Sequence, residues 1–264
     1  MDAARIRGYS RYELRRTVVK TSCTRGKLVI VEGLDGSGKS TQLDLLHKWL
    51  SNKGYLVVST EWNSSPIVKR TTKFGKKRRL LSPRTFSLIH AADFANRLHD
   101  QILPALNAGA LVIADRWVYT AYARDAARGL DHPWLRDLYS FAVTPAIGLY
   151  FDVPLEESLN RIVTRGEEPN WYEAGMDLGL SDNPIESFRI FQGMIQKEYE
   201  RVIEREPILT RIDATLPLIQ QQMLIREIVE PELAGILQTD KHDLQITLLE
   251  SGLSGRYFSD QAVS

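Results

Sequence analysis

The chain has 264 residues, of which 43% are hydrophobic and 25% charged, with a formal net charge of +1. That is enough to bury one domain's core with extensions to spare, and the balanced charge argues neither for nor against nucleic acid. The lone cysteine, Cys23, excludes an internal disulfide and any multi-cysteine metal site; no apolar stretch approaches the roughly 20 residues of a membrane span, so a soluble chain in a reducing, cytoplasmic compartment is expected.

Residues 1–26 carry seven basic side chains against Asp2 and Glu13. Without an apolar centre this segment is no secretory signal. It reads as a basic extension, either packed on its own domain or mobile, with an organellar transit peptide as the alternative. Lys27–Glu32 is a short buried strand. A glycine-rich loop follows, then a helix with Leu43, Leu46 and Leu50 on one face, stopped by Asn52-Lys53-Gly54. Tyr55–Thr60 is a second strand, and Pro66–Arg79 a polar, basic segment. Pro83 opens a long helical pattern running to Gly109, in which Pro104 predicts a kink. Ala110–Ala114 is a third strand that delivers Asp115 at its carboxyl end. A helical stretch precedes the fourth strand, Ala146–Phe151, and Leu155–Thr164 is again helical. Residues 165–184 hold three glycines and two prolines with little periodicity, which predicts a loop or lid. Pro184–Glu206 reads as a helix, Ile208–Ile212 as a fifth strand and Leu216–Leu237 as a closing helix, with 238–264 an appendage. Alternation of strand and helix predicts an α/β, three-layer domain over 27–237 with a five-stranded parallel sheet.

Gly33-Leu34-Asp35-Gly36-Ser37-Gly38-Lys39-Ser40, followed by Thr41, satisfies the G-x-x-x-x-G-K-S pattern between an apolar strand and an amphipathic helix, the context that confirms it. Its glycines let successive N–H groups converge on phosphates at a helix amino terminus. Lys39 is expected at the β- and γ-phosphates of ATP, and Ser40 on Mg2+. Asp115 and Arg116, at the carboxyl edge of a buried strand where α/β ligands bind, are candidates to orient the metal and to bridge donor and acceptor phosphates. The plainer reading of these two is a surface ion pair.

On Val31–Gln42 and the later block Ile102–Trp117 the chain resembles the thymidylate kinase family of P-loop nucleoside monophosphate kinases, over about residues 27–230. The resemblance implies a P-loop NTPase fold with a lid, phosphoryl transfer from Mg2+-bound ATP to a nucleoside monophosphate with dTMP first, and a homodimer through helices. It gives Asp35 an additional contact to the acceptor's 3′-hydroxyl. Gly36 places the chain with members that supply basic catalytic groups from the lid, which implicates Arg161 and Arg165; helix capping is the alternative for one of them.

The departures fall on the acceptor side. The family's arginine after the second strand is replaced within Thr60-Glu61-Trp62-Asn63, its base-stacking aromatic and base-reading arginine by His90 and Phe94, and its Ala-Tyr-Gln by Ala123-Arg124-Asp125. Either Arg124 or a cation of the basic run holds the acceptor phosphate and Trp62 or Phe94 stacks on a base, or the acceptor differs. His90 is weighed equally as a packed helix residue, and Phe94 fits the apolar stripe. Lys69–Arg79 carries seven cations and no acid, commonly a solvated face; a polyanionic acceptor or nucleic-acid end is the minority reading. Trp171 and Tyr172 either cover a nucleotide or anchor the lid. The rival from another class is a nucleotide-dependent switch with no acceptor site.

Overall fold

Five parallel strands, β1 (Lys27–Gly33), β2 (Val57–Glu61), β3 (Leu111–Asp115), β4 (Ile147–Asp152) and β5 (Leu209–Asp213), form one sheet in the order β2-β3-β1-β4-β5. The structure is a computed structural model and describes residues 24–164, 166, 169–236 and 238. The expected parallel α/β sheet is present. Arg165, most of the N-terminal extension and nearly all of the C-terminal appendage lie outside the described residues.

The helices among the described residues are α1 (Lys39–Asn52), α2 (Lys69–Arg78), α3 (Pro83–Arg97), α4 (Leu103–Asn107), α5 (Val118–Ala127), α6 (His132–Leu138), α7 (Leu155–Thr164), α8 (Pro184–Arg205) and α9 (Leu218–Val229). Strand β1 explains the layering. Leu28 and Ile30 enter one core with Phe94, Ile102 and Trp117, whereas Val29 and Val31 enter a second with Leu46, Leu50 and Ile225. Alternate residues of a strand face opposite sides, so an unbroken apolar run is what a doubly covered strand requires. All four side chains are buried, each contributing roughly 1.5–3 kcal/mol of transfer free energy.

Two segments take a form that the sequence reading did not specify. Within the basic stretch, residues 69–78 form α2, which turns Thr72 and Gly75 inward, keeps three cations in its last turn and ends on a left-handed Arg79. Cations there are favoured by the helix dipole. The long helix after Ser82, whose hydroxyl accepts from the Thr85 N–H as its cap, passes Pro104 without breaking. The turn ahead of the proline, Leu98–Ile102, winds as a π-helix in which the Leu103 N–H reaches back to the Leu98 carbonyl. A wide turn is one way to accommodate a ring that clashes with the preceding turn.

Helix α1 leaves β1 toward one face of the sheet and α5 leaves the neighbouring β3 toward the other. Their exits diverge at the carboxyl edge and open a crevice between them, where open α/β sheets bind ligands.

Candidate active site

The loop between β1 and α1 forms the first wall. Gly33, Gly36 and Gly38 all have positive φ. At Gly36 (φ 78) a Cβ would also stand 2.6 Å from the Ser158 carbonyl oxygen, so α7 rests directly on the loop; the Ser158 hydroxyl donates to the Asp35 carbonyl. Helix α1 has no side-chain cap and no acid in its first turn, which leaves its leading N–H groups for an anion. Ser37 is buried, while Ser40 and Thr41 are exposed on that first turn. The Lys39 ammonium donates to the Gly33 and Leu34 carbonyls (3.1 and 2.6 Å) and to Ser37 Oγ (3.0 Å). Burial first, then the nearby Arg116 guanidinium, push Lys39 down to about 7, against the pull of Asp35 and Asp115.

Asp35 joins this loop to the second wall. One carboxylate oxygen pairs with Arg116 and the other with Arg124, and Gln192 donates weakly at 3.4 Å. Burial disfavours the charge, but Arg124, Arg116 and Lys39 outweigh it and hold the carboxyl well below the usual range. Arg116 itself adopts φ 71, left-handed backbone that costs a non-glycine residue roughly 1–2 kcal/mol. The turn lets its N–H donate to the Val31 carbonyl (2.9 Å) while Nη1 donates to the Gly33 carbonyl (3.2 Å).

Glu32, the last residue before the loop motif, fixes α5. Its fully buried carboxylate accepts the Trp117 N–H (2.8 Å), the Thr120 N–H (3.1 Å), the Thr120 hydroxyl (2.6 Å) and the Tyr199 hydroxyl (2.8 Å). Helix α5 has no cap of its own, so an acid from β1 serves its amino terminus, where negative charge is favoured. Burial raises the Glu32 pKa while these partners lower it. Its role was legible in the sequence only as an acid inside an otherwise apolar strand.

Beyond Asp35 lies a cavity of about 200 Å³ lined by the expected Asp35, Trp62, His90, Asp115, Arg116 and Arg124, and also by Lys76, Phe86, Thr120, Asp125, Arg128 and Tyr172. Of the seven cations at 69–79 only Lys76 is withdrawn from solvent, with its ammonium 5.2 Å from the Phe86 ring centre. The other six form the solvated face that such runs commonly make. His90 packs between Phe86 (4.3 Å between ring centres) and Trp62 (5.7 Å, edge-on). Burial, followed by repulsion from Lys76 and Arg128, keeps it neutral. Phe94 does not reach the cavity: it is 0% exposed and packs edge-on against Trp117 at 4.7 Å, which corrects its assignment to acceptor binding. Arg97, one turn later, is tied to Asp93 (2.8 Å) and to Thr60 (3.2 Å). Asp93 in turn accepts the Asn63 and Ser65 N–H groups, which shapes the loop after β2.

Arg161 stands on α7 beside the phosphate loop, bonded to Glu157 (2.9 Å) and to the Ala214 carbonyl (3.0 Å); one of its terminal nitrogens is 3.9 Å from where a Gly38 Cβ would sit. The lid aromatics anchor rather than hang free. Tyr172 accepts the Leu81 N–H at its hydroxyl (3.2 Å) and the Arg128 guanidinium at its carbonyl (2.6 Å). Arg79 stacks on Trp171 at 3.6 Å, and Arg128 pairs with Asp177 at 2.9 Å. Phe86 and His90, and Arg124 and Arg128, are i, i+4 pairs on facing helices, the spacing that could have drawn attention to Phe86 and Arg128.

The family model described as thymidylate kinase matches residues 31–225. A probable thymidylate kinase 2 of Saccharolobus solfataricus is 42% identical over 206 residues, 78% of this chain and 96% of that protein. A probable thymidylate kinase of Pyrococcus horikoshii is 33% identical across 80% of this chain and 100% of its own length. A thymidylate kinase of Alkalilimnicola ehrlichii is 33% identical across 74% and 88% respectively.

Proposed function

This chain belongs to the thymidylate kinase family, and on that footing we infer that it transfers the γ-phosphoryl group of ATP to the phosphate of dTMP, giving dTDP and ADP. An acceptor phosphate oxygen attacks the γ-phosphorus while the bond to the bridging oxygen breaks and its electron pair leaves with ADP. The acceptor is already anionic, so no general base is needed; the protein supplies position and positive charge.

The observation that carries this reading is the junction at Asp35. A phosphate-binding loop and a cation-lined cavity meet there through the Arg116 and Arg124 pairs. The loop amides and Lys39 hold the ATP phosphates. Arg116, at the boundary, serves both phosphates, and Arg124 with Lys76 draws the acceptor's anionic end. Arg161 lies close enough to the loop to add charge as the γ-phosphoryl moves, and Arg165 joins it in this proposal from the lid. A cavity with four lining cations favours a kinase over a nucleotide switch without an acceptor.

Magnesium belongs to the same proposal. Ser40 and Asp115 both line the large cleft beside the loop, and Asp115 Oδ1 is buried without a hydrogen-bond partner. This sparse oxygen set fits a hard cation that keeps waters and phosphate oxygens as its other ligands. When bound, the ion neutralises charge on the phosphates.

The test is ADP release from Mg2+-ATP with and without a panel of nucleoside monophosphates. Turnover should rise with dTMP and should fall by about 10²–10³-fold in Lys39→Ala. Slow hydrolysis indifferent to every acceptor would refute the assignment.

A further inference from the structure

We propose that Asp125 is the specificity-determining residue of the acceptor cavity, its free oxygen accepting the ring N3–H of a thymine-type base. The inference rests on the thymidylate kinase reading above and names the group that reads the base. Asp125 lies on α5 and is only 2% exposed, yet it lines the cavity and its Oδ2 has no hydrogen-bond partner. Buried polar atoms in native proteins are nearly always bonded, so an unpartnered one on a residue that lines a ligand cavity points to a bond completed by the ligand. The Ser87 hydroxyl bears on the carboxyl and Arg124 Nε lacks a partner, but a carboxylate offers about four acceptor sites, so capacity remains for a ligand. Arg124 is held by Asp35, and Arg128 by Asp177 and the Tyr172 carbonyl.

Among the other unpartnered polar atoms on residues lining the cavity is His90 Nε2. A neutral imidazole offers one donor and one acceptor, so His90 can donate to a base carbonyl flanking the N–H that Asp125 accepts. That donor–acceptor alternation is the edge an imide presents. Helix α3 sends no cation here, because Phe94 is in the core and Arg97 is committed to Asp93 and Thr60. The walls, Phe86 and Trp62, are flat and apolar, and the roughly 200 Å³ volume lies below the usual range for ligand clefts, which suits a one-ring base. Burial pushes the Asp125 carboxyl up to about 6, while Ser87, Arg128 and Arg124 draw it back. It therefore stands mainly ionised, as an acceptor, at neutral pH.

The experiment compares kcat/KM for dTMP and for its N3-methyl analogue, which has lost the N–H and gained bulk at that point. Wild type should reject the analogue by at least about 100-fold, because a site built to bond an N–H is left with an unpaired buried carboxylate. In Asp125→Ala the dTMP value should drop about 10- to 100-fold and discrimination should shrink below about tenfold, with the dissociation constant of ATP unchanged. Asp125→Asn, nearly isosteric, guards against misfolding of the alanine variant and should lie between the two. Equal use of both nucleotides by wild type overturns the assignment, as does an equal loss on both in the variants. If no nucleoside monophosphate stimulates wild type at all, the kinase reading itself has failed, a result distinct from either.

Discussion

The Lys39 ammonium, pushed down to about 7, makes ATP binding depend on pH in a definite direction. In the free protein the lysine loses its proton as pH rises through 7. A bound triphosphate surrounds it with negative charge and returns it toward its ordinary value near 10.4. Binding therefore takes up a proton above pH 7, and affinity falls as pH rises. The factor (1 + 10^(pH−7)) gives about 50-fold weaker binding at pH 9 than at pH 7, or about 2.3 kcal/mol. The phosphate's own last ionisation, near pH 6, works in the opposite direction and lies below this window. Titration calorimetry of Mg2+-ATP without acceptor, in two buffers of different ionisation enthalpy, reads both the dissociation constant and the proton uptake, which should approach one per ATP at pH 9. Lys39→Arg, charged at every pH used, should bind more weakly at pH 7 but show no slope. A wild-type dissociation constant constant within threefold from pH 7 to 9, with no proton taken up, would refute the reasoning. The same shift has a folding counterpart. An unfolded lysine keeps its proton to about 10.4, so between pH 7 and that value the unfolded chain binds more protons and this group's contribution to stability rises with pH.

Arg116→Ala should lower kcat/KM for the acceptor by about 10²–10³-fold and change ATP affinity much less; loss of ATP affinity alone would remove Arg116 from its bridging role. At the same position Arg116→Gly should be more stable than Arg116→Ala by about 1 kcal/mol in urea unfolding, because glycine accepts φ 71 without strain. Glu32→Ala leaves the Trp117 and Thr120 N–H groups buried without an acceptor and should destabilise the protein by about 3–5 kcal/mol. Glu32→Gln, with the Thr120 and Tyr199 hydroxyls free to reorient, should cost about 1–2 kcal/mol. Glu32 is raised in the folded protein, so its contribution is full below its unfolded value and declines as pH rises through the folded one; the glutamine variant should lose that pH dependence.

Segments that bury a periodic apolar face were legible in the sequence. β1, α7 and α8 lie where the hydrophobic pattern and the caps put them, within a residue or so. Helix α2 was not, because its inward side is Thr72, Gly75 and the stem of Lys76 rather than an apolar stripe. The donor half of the site was readable because one contiguous motif makes it. The acceptor half is assembled from the loop after β2, α2, α3, α5 and the lid. Its pairings, such as Arg128 with Asp177 and Tyr172 with Leu81, span tens of residues, and no local pattern encodes them. Phe94 shows the converse. Alignment to a functional position did not outweigh its place in the apolar stripe, and the fold used it for packing.

The bare backbone at Gly36 decides more than the shape of a turn. With Ser158 pressed against it, any side chain grafted there would have to lever α7 outward, carrying Arg161 away from the loop. A cation offered by the loop and a cation offered from the helix above it are thus sterically exclusive alternatives.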